Sequence, residues 1–232
     1  QMDELKEKEY QVRQLLDRAE YNALQAQINP HFLYNTLDTM SSIADIRGCA
    51  EVSRLCQSLS NIFRYTLNMK NQFSTVAKEL MHLKNYVYVM SVRMQDSIHY
   101  EFNIDHSTQQ NLLPRLSLQP LVENAINHGL KNKRGDKRIQ INVEVVGDDL
   151  HICVADNGIG MDAGVMNERL KQNNISDVEQ GDSIGLLNIN ARIKMLFGDA
   201  YGLYVQSESG EGTRIHMLLQ RRDVDGEQKK EI

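Results

Sequence analysis

Apolar residues recur at intervals of seven along the first stretch of this chain, at Leu5, Val12, Ala19 and Ala26, with Leu15, Leu16 and Ala23 widening the stripe. Heptad spacing keeps one seam of an α-helix apolar over many turns, and such a seam is stable only against partner helices. The helical pattern runs from Glu4 to about Ala44. Lys8 and Asn22 interrupt the second seam position, so the expectation is a short signalling helix rather than a long coiled coil. Gly48 separates this pattern from a second one, in which Val52, Leu55, Cys56, Leu59, Ile62 and Phe63 keep the i, i+3, i+4, i+7 spacing of an amphipathic helix ending near Leu67. Two helices joined at Gly48 cover each other only in part. The apolar remainder predicts a homodimer in which two hairpins make a four-helix bundle.

The periodicity changes after the polar stretch Asn68–Thr75, which reads as a linker. Helical spacing over Val76–Gln95 is followed by alternation at Ile98, Tyr100, Phe102 and Ile104, a strand. Leu116–Leu130 is helical. Ile139–Val145 and His151–Ala155 alternate on either side of Gly147-Asp148-Asp149 and form a strand pair. Ile184–Phe197 is helical, and Leu203–Ser207 with Thr213–Leu219 makes a last hairpin. Met161–Ser183 is polar and poor in structure signals, which suits a disordered segment or a functional lid. These elements predict an α + α/β chain: a helical hairpin, then an α/β sandwich whose mixed sheet carries helices on one face.

Composition removes several classes. With 26 Lys and Arg against 31 Asp and Glu, the net charge of −5 gives no reason to expect nucleic-acid binding. No run approaches the length of apolar residues needed to span a bilayer, and no signal-peptide pattern opens the chain. Cys49, Cys56 and Cys153 lack a CxxC pair; they fit a reducing compartment and small buried apolar positions, and no zinc site is expected. GxxxxGK[ST] and GxGxxG are both absent, so the P-loop and Rossmann readings lack their defining residues.

Chemistry is concentrated in four segments. The first is Gln25-Ala26-Gln27-Ile28-Asn29-Pro30-His31-Phe32-Leu33-Tyr34-Asn35-Thr36-Leu37. A proline within a helical pattern removes a backbone hydrogen bond and predicts a kink beside the histidine. Neutral imidazole is a good nucleophile near pH 7. The segment resembles the phosphoacceptor box of the LytS/YesM-type sensor histidine kinases. That resemblance makes His31 the phosphorylated residue, and Asn35, one turn on, the position that orients a hydrolytic water in kinases that are also phosphatases. Other histidine kinases place an acidic residue directly after the histidine; here it is Phe32. Asp38 shares the face but lies about 10 Å along the axis, so the base is left open.

The second segment is Pro120-Leu121-Val122-Glu123-Asn124-Ala125-Ile126-Asn127-His128-Gly129, where helical spacing puts Glu123 and Asn127 on one face and Asn124 and His128 on the adjoining edge. Carboxamide oxygens suit Mg²⁺, and a nearby carboxylate can order water or serve as base. The third, Asp156-Asn157-Gly158-Ile159-Gly160-Met161, follows a strand; its glycines permit close backbone approach. The fourth, Ser183-Ile184-Gly185-Leu186-Leu187-Asn188-Ile189-Asn190-Ala191-Arg192, opens a helix whose free N–H groups suit an anion. Together with Gly210-Glu211-Gly212-Thr213 they resemble the N, G1, G2 and GxGT boxes of the Bergerat-fold (GHKL) ATPases, with Ser183 where the first glycine of the G2 box is commonest.

The resemblance implies that Asn124 is the Mg²⁺ ligand and Glu123 a candidate base. It brings Asn127 and His128 close to metal or phosphate, sets Asp156 on adenine, and makes Gly158, Gly160, Gly185, Leu186 and Thr213 nucleotide-binding positions. The basic loop Lys131, Lys133, Arg134, Lys137 and Arg138 reads as solvated.

The organisation that follows is a signalling helix over 1–24, a dimerisation and phosphotransfer hairpin over 25–72, an ATP-binding domain over 73–222 and a charged tail over 223–232. The implied function is a protein-histidine kinase. It would use Mg-ATP to phosphorylate His31 and pass the phosphoryl group to an aspartate in the receiver domain of a response regulator. A chain opening on Gln1 reads as a piece of a longer protein, and the implied parent is a plasma-membrane receptor anchored N-terminal to this cytoplasmic part. Two other readings use the same motifs: a GHKL-fold ATPase or protein-serine kinase, and a dimeric signalling scaffold with a degenerate site, to which Phe32 and Ser183 point.

Overall fold

The chain divides between residues 67 and 68 into two compact units. A computed structural model describes residues 30–67, 71–95, 97–172 and 184–223. The heptad stripe Leu5–Ala26, the bend expected before Pro30, Ser183 and the tail beyond Asp223 lie outside the described residues.

In the first unit, α1 (Pro30–Ile46) and α2 (Ala50–Leu67) are joined through Gly48, whose φ of 71° is a left-handed turn that favours glycine. The Cys49 N–H closes the turn on the Ala44 carbonyl at 2.8 Å. Within the hairpin α2 buries mainly small side chains. Ser53, Cys56 and Ser60 are buried, whereas Leu55, Leu59, Ile62 and Phe63 are half-buried and Val52 is exposed. Small side chains let the helices approach, and hydroxyls complete the seam: Ser41 Oγ lies 2.9 Å from Ser53 Oγ, and Ser60 Oγ donates to Asp38 Oδ1 at 2.8 Å. The apolar stripe read from the sequence is therefore largely left over by the hairpin itself. Cys49, expected to be buried, is exposed in the turn.

The second unit begins with β1 (Phe73–Thr75), inside the stretch predicted as a linker. It pairs antiparallel with β3 (Leu112–Pro114). Between them run α3 (Val76–Arg93) and β2 (His99–Ile104). The chain continues through α4 (Leu118–Asn124), a π-helical turn over Ala125–Gly129, β4 (Arg138–Val146), β5 (Asp149–Asp156), α5 (Ala163–Gln172), α6 (Ile184–Phe197), β6 (Gly202–Glu208) and β7 (Gly212–Gln220). The five-stranded sheet has the order β2-β4-β5-β7-β6; β2 is parallel to β4 and the other neighbours are antiparallel.

Alternation places the core on one face. Ile139, Ile141, Leu150, Ile152, Val154, Ile215, Met217 and Leu219 are buried with Leu83 and Val87 of α3, Leu118, Leu121 and Val122 of α4, and Leu186 and Ile193 of α6. Each fully buried Leu or Ile contributes roughly 1.5–3 kcal/mol. This is the mixed sheet with helices on one face that the sequence predicts.

Two expectations need correction. Residues 161–183 were read as lacking structure signals, yet Ala163–Gln172 is helical. The Asp162 carboxylate accepts from the Val165 N–H at 3.0 Å, and Met166 and Leu170 are buried. The predicted continuous helix over 116–130 is instead α4 followed by the π turn, in which the Leu130 N–H reaches the Ala125 carbonyl at 2.9 Å. The turn therefore carries one residue more than an α-helical turn.

Candidate functional site

The site is built where β5 ends against the start of β7 and the end of α4. Asp156 is the last residue of β5 and stands in register with Thr213. Its carboxylate is enclosed. A Cβ at Gly129 would lie 2.5 Å from Oδ1, and one at Gly158 would lie 2.5 Å from the same oxygen and 2.2 Å from the Gly129 carbonyl. Behind it, a Cβ at Gly212, whose φ is 115°, would lie 2.0 Å from the Asp156 carbonyl. Only glycine fits at these positions. With 8% of its surface exposed, Asp156 is pushed up to about pKa 6 by burial; N–H groups of Gly158 and Thr213 and the charge of Lys133 pull the other way. The Gly158 N–H bond to Oδ1 is 2.7 Å long.

The loop leaving β5 is pinned to the last hairpin. Ser207 Oγ accepts from the Met161 N–H at 2.8 Å and lies 3.0 Å from Thr213 Oγ1. Lys133 donates to the Asn157 carbonyl and Lys131 lines a cavity, so these two members of the basic loop are not simply solvated as predicted.

Two cavities open beside this loop. One, of about 770 Å³, lies among Met90, Arg93, Asn127, His128, Lys131 and Gly160; another, of about 260 Å³, among Asn124, His128, Met161, Asp162, Met166 and Arg169. His128 borders both. Asn124 is buried, and its Nδ2 has no hydrogen-bond partner among the described residues. A buried amide left open costs roughly 1–3 kcal/mol. Turned about its Cβ–Cγ bond it would offer Oδ1 in the same place. Among the described residues there is no cluster of three His, Cys, Asp or Glu side chains to hold a metal. The chemistry therefore fits a hard cation held by one carboxamide and by ligand phosphates, and the three cations Arg93, Lys131 and Arg169 fit an anion.

α4 is fixed from α3. The buried Glu79 carboxylate accepts the N–H groups of Leu116 at 2.8 Å and Ser117 at 3.0 Å, capping a helix whose Ser117 side chain makes no cap bond. Glu123 points the same way, accepting from Gln119 Nε2 at 2.7 Å and from the Tyr86 hydroxyl.

In the hairpin unit His31 is exposed on α1. Asn35 Nδ2 stands 3.0 Å from its Nδ1, and the Tyr34 ring meets it edge-on at 5.9 Å. Asp38 is turned away to Ser60 and to an ion pair with Arg64.

Two family models match the chain, one described as histidine kinase over residues 19–98, the other as histidine kinase-, DNA gyrase B- and HSP90-like ATPase over residues 111–223. Sensor histidine kinase YesM of Bacillus subtilis is 33% identical over 222 residues, 96% of this chain and 37% of that protein. The chain belongs to the sensor histidine kinases. YpdA of Escherichia coli, another sensor histidine kinase, is 36% identical over 92% of this chain and 37% of its own length. The chain thus spans just over a third of the length of the curated relatives it matches. A histidine kinase domain from Erythrobacter litoralis superposes with a TM-score of 0.47 at 16% identity, covering 88% of this chain and 94% of that one.

Of the site positions expected from the sequence, Asn124, Asn127, His128, Asp156, Gly158, Gly160 and Thr213 lie around the enclosed carboxylate and the two cavities. Gly185 is exposed at the start of α6 beside Pro120, and Leu186 is a core residue; neither lines either of these two cavities. Glu123 accepts from Gln119 on its own helix and from Tyr86 of α3. Gly129 and Gly212 were not among the predicted site residues, although both stood in the quoted motifs; their role is visible only once the chain brings them onto Asp156. Among the described residues no helix is long and apolar enough to cross a membrane.

Proposed function

We propose that this chain is the kinase core of its parent protein: it binds Mg-ATP, transfers the γ-phosphoryl group to His31 and passes it to an aspartate in the receiver domain of a response regulator. The observation that carries the reading is one chain holding both an exposed histidine and a buried, glycine-enclosed carboxylate beside cation-lined cavities. Asp156 accepts from the exocyclic amine of adenine, an acceptor-only group meeting a donor. Asn124 holds Mg²⁺, which when bound neutralises phosphate charge. Asn127, His128, Lys131 and Arg93 contact the phosphate chain, and the backbone N–H groups of Gly185 and Leu186 supply an anion site at the start of α6. Glu123, the candidate base, lies against Gln119 and Tyr86. Catalysis is then positioning and charge stabilisation.

The half-exposed Leu55–Leu59–Ile62 stripe on α2 supports a homodimer through the hairpins, and the parent is read as membrane-anchored ahead of this part. Incubation with [γ-³²P]ATP tests the function. The expected label is acid-labile and absent from His31→Gln. Acid-stable label would favour a protein-serine kinase, and nucleotide binding without label a degenerate scaffold.

A further inference from the structure

The basic loop between the π turn and β4 closes on one residue of the loop that leaves β5. Asn157 is held there at four points. Its N–H donates to the Arg138 carbonyl at 3.3 Å, its Oδ1 accepts from the Arg138 N–H at 2.9 Å, and its Nδ2 donates to the Asp136 carbonyl at 3.1 Å. The fourth is the Lys133 ammonium, which donates to the Asn157 carbonyl. Lys133 is half-buried, whereas Lys131 and Arg134 of the same loop are exposed. Three neutral bonds already tie residue 157 in place, so the ammonium is free to serve something other than the loop's position.

We propose that Lys133 is a positioning residue of the adenine-reading carboxylate: it grips the 157–158 peptide by its oxygen and so aims the N–H of that same peptide at Asp156. The inference rests on the reading of Asp156 as the group that meets adenine. The Asn157 carbonyl and the Gly158 N–H belong to one planar unit, and in a trans peptide they point in opposite directions. A cation held on the oxygen directs the N–H to the far side, where Asp156 Oδ1 stands 2.7 Å from the Gly158 nitrogen.

The same cation polarises the peptide and strengthens the bond its N–H gives. Both effects favour the ionised carboxylate, which only accepts, over the acid, which also donates. The elements packed around Asp156 also carry His128, Lys131, Arg138, Glu208, Glu211 and Arg214. Among the described residues, Lys133 is the charged group that acts on this carboxylate. It works against burial, and its reach is through one peptide rather than by direct contact.

Carboxyl-¹³C labelling of the aspartates in the nucleotide-free full chain follows the titration, with Asp156 assigned by its loss in Asp156→Asn. Lys133→Met keeps an apolar stem and removes the charge. Its Asp156 midpoint is expected to lie about half a pH unit or more above that of the wild type, whereas Lys133→Arg, which can still grip the carbonyl, stays close to it. ADP calorimetry on the same chains is expected to show Lys133→Met at wild-type affinity at pH 8 and roughly threefold weaker than wild type at pH 5. An Asp156 midpoint that stays in place in Lys133→Met overturns the proposal. So does an ADP affinity reduced equally at pH 5 and pH 8, which would make Lys133 a phosphate contact. A raised midpoint with wild-type ADP affinity at every pH would keep the link from Lys133 to Asp156 and overturn the reading of Asp156 as the adenine acceptor.

Discussion

Asp156 and His31 are built in opposite ways. Asp156 is shut in, with glycines at 129 and 158 against its carboxylate and N–H groups of Gly158 and Thr213 directed at it. His31 stands on the surface of a two-helix hairpin, where among the described residues it meets the Asn35 amide and the edge of Tyr34. The contrast extends to the units around them. The sheet unit is closed by interlocking Leu, Ile and Val, the hairpin by hydroxyls and small side chains. A group that reads a ligand gains from being desolvated and fixed before the ligand arrives. On the proposed function His31 meets a nucleotide and then a second protein, so it has to stay reachable and little can be packed around it.

The largest expected effect comes from breaking the enclosure. Gly158→Ala puts a methyl carbon 2.2 Å from the Gly129 carbonyl and 2.5 Å from Asp156 Oδ1, so the loop has to move. The expected cost is about 1–3 kcal/mol of stability in the sheet unit, with loss of ADP binding by calorimetry. A folded Gly158→Ala chain with wild-type ADP affinity would show that the carboxylate is not the reading group.

Next is the proton on Asp156. Its folded pKa of about 6 lies above the usual carboxylate value of 3.8. Between those pH values the folded unit holds a proton that the unfolded chain releases, so stability falls as pH rises through the window, by roughly 3 kcal/mol in all. ADP affinity is expected to run the other way, weakening as pH falls through 6, because adenine calls for the ionised acceptor. Denaturant titrations and calorimetry across pH 4–8 check both. Asp156→Asn should flatten the stability trend, which separates it from the titration of the nucleotide's own phosphates. An unflattened trend would assign the proton to another group.

The smallest effect is expected in the hairpin. Arg64→Ala removes an ion pair with Asp38 whose partners are both about half exposed, and the change in stability should stay within about 1 kcal/mol. Unchanged ADP affinity would accompany it. A loss of several kcal/mol would mean that the hairpin is as tightly specified as the sheet unit, which would blunt the contrast.

What could be read from the sequence follows the same division. The strands β4, β5, β6 and β7 were legible because one face is buried and the other is not, so Ile139, Ile141 and Val143 alternate with polar residues. Asp156, Asn124 and the glycines after β5 were legible as motifs. The π turn was not, because the choice between i+4 and i+5 bonding at Leu130 is made by packing and not by local propensity. Strands β1 and β3, three residues each, are too short to show alternation. Helix α5 offered only Met166 and Leu170 as a periodic pair. The direction of Glu123 depends on Gln119 and Tyr86, and Tyr86 is far from it in sequence. In α2 the hydrophobic pattern did not show that Ser53 and Ser60 pack inward while the larger Leu55, Leu59 and Ile62 stay half-buried.

On the proposed function, reading the nucleotide and accepting the phosphoryl group belong to different residues on different units. The most direct test of that division is ADP calorimetry and [γ-³²P]ATP labelling on His31→Gln and Asp156→Asn chains side by side. His31→Gln is expected to bind ADP with wild-type affinity and to take no acid-labile label, and Asp156→Asn to lose both while remaining folded. Acid-labile label on the His31→Gln chain, or wild-type ADP affinity in the Asp156→Asn chain, would contradict it.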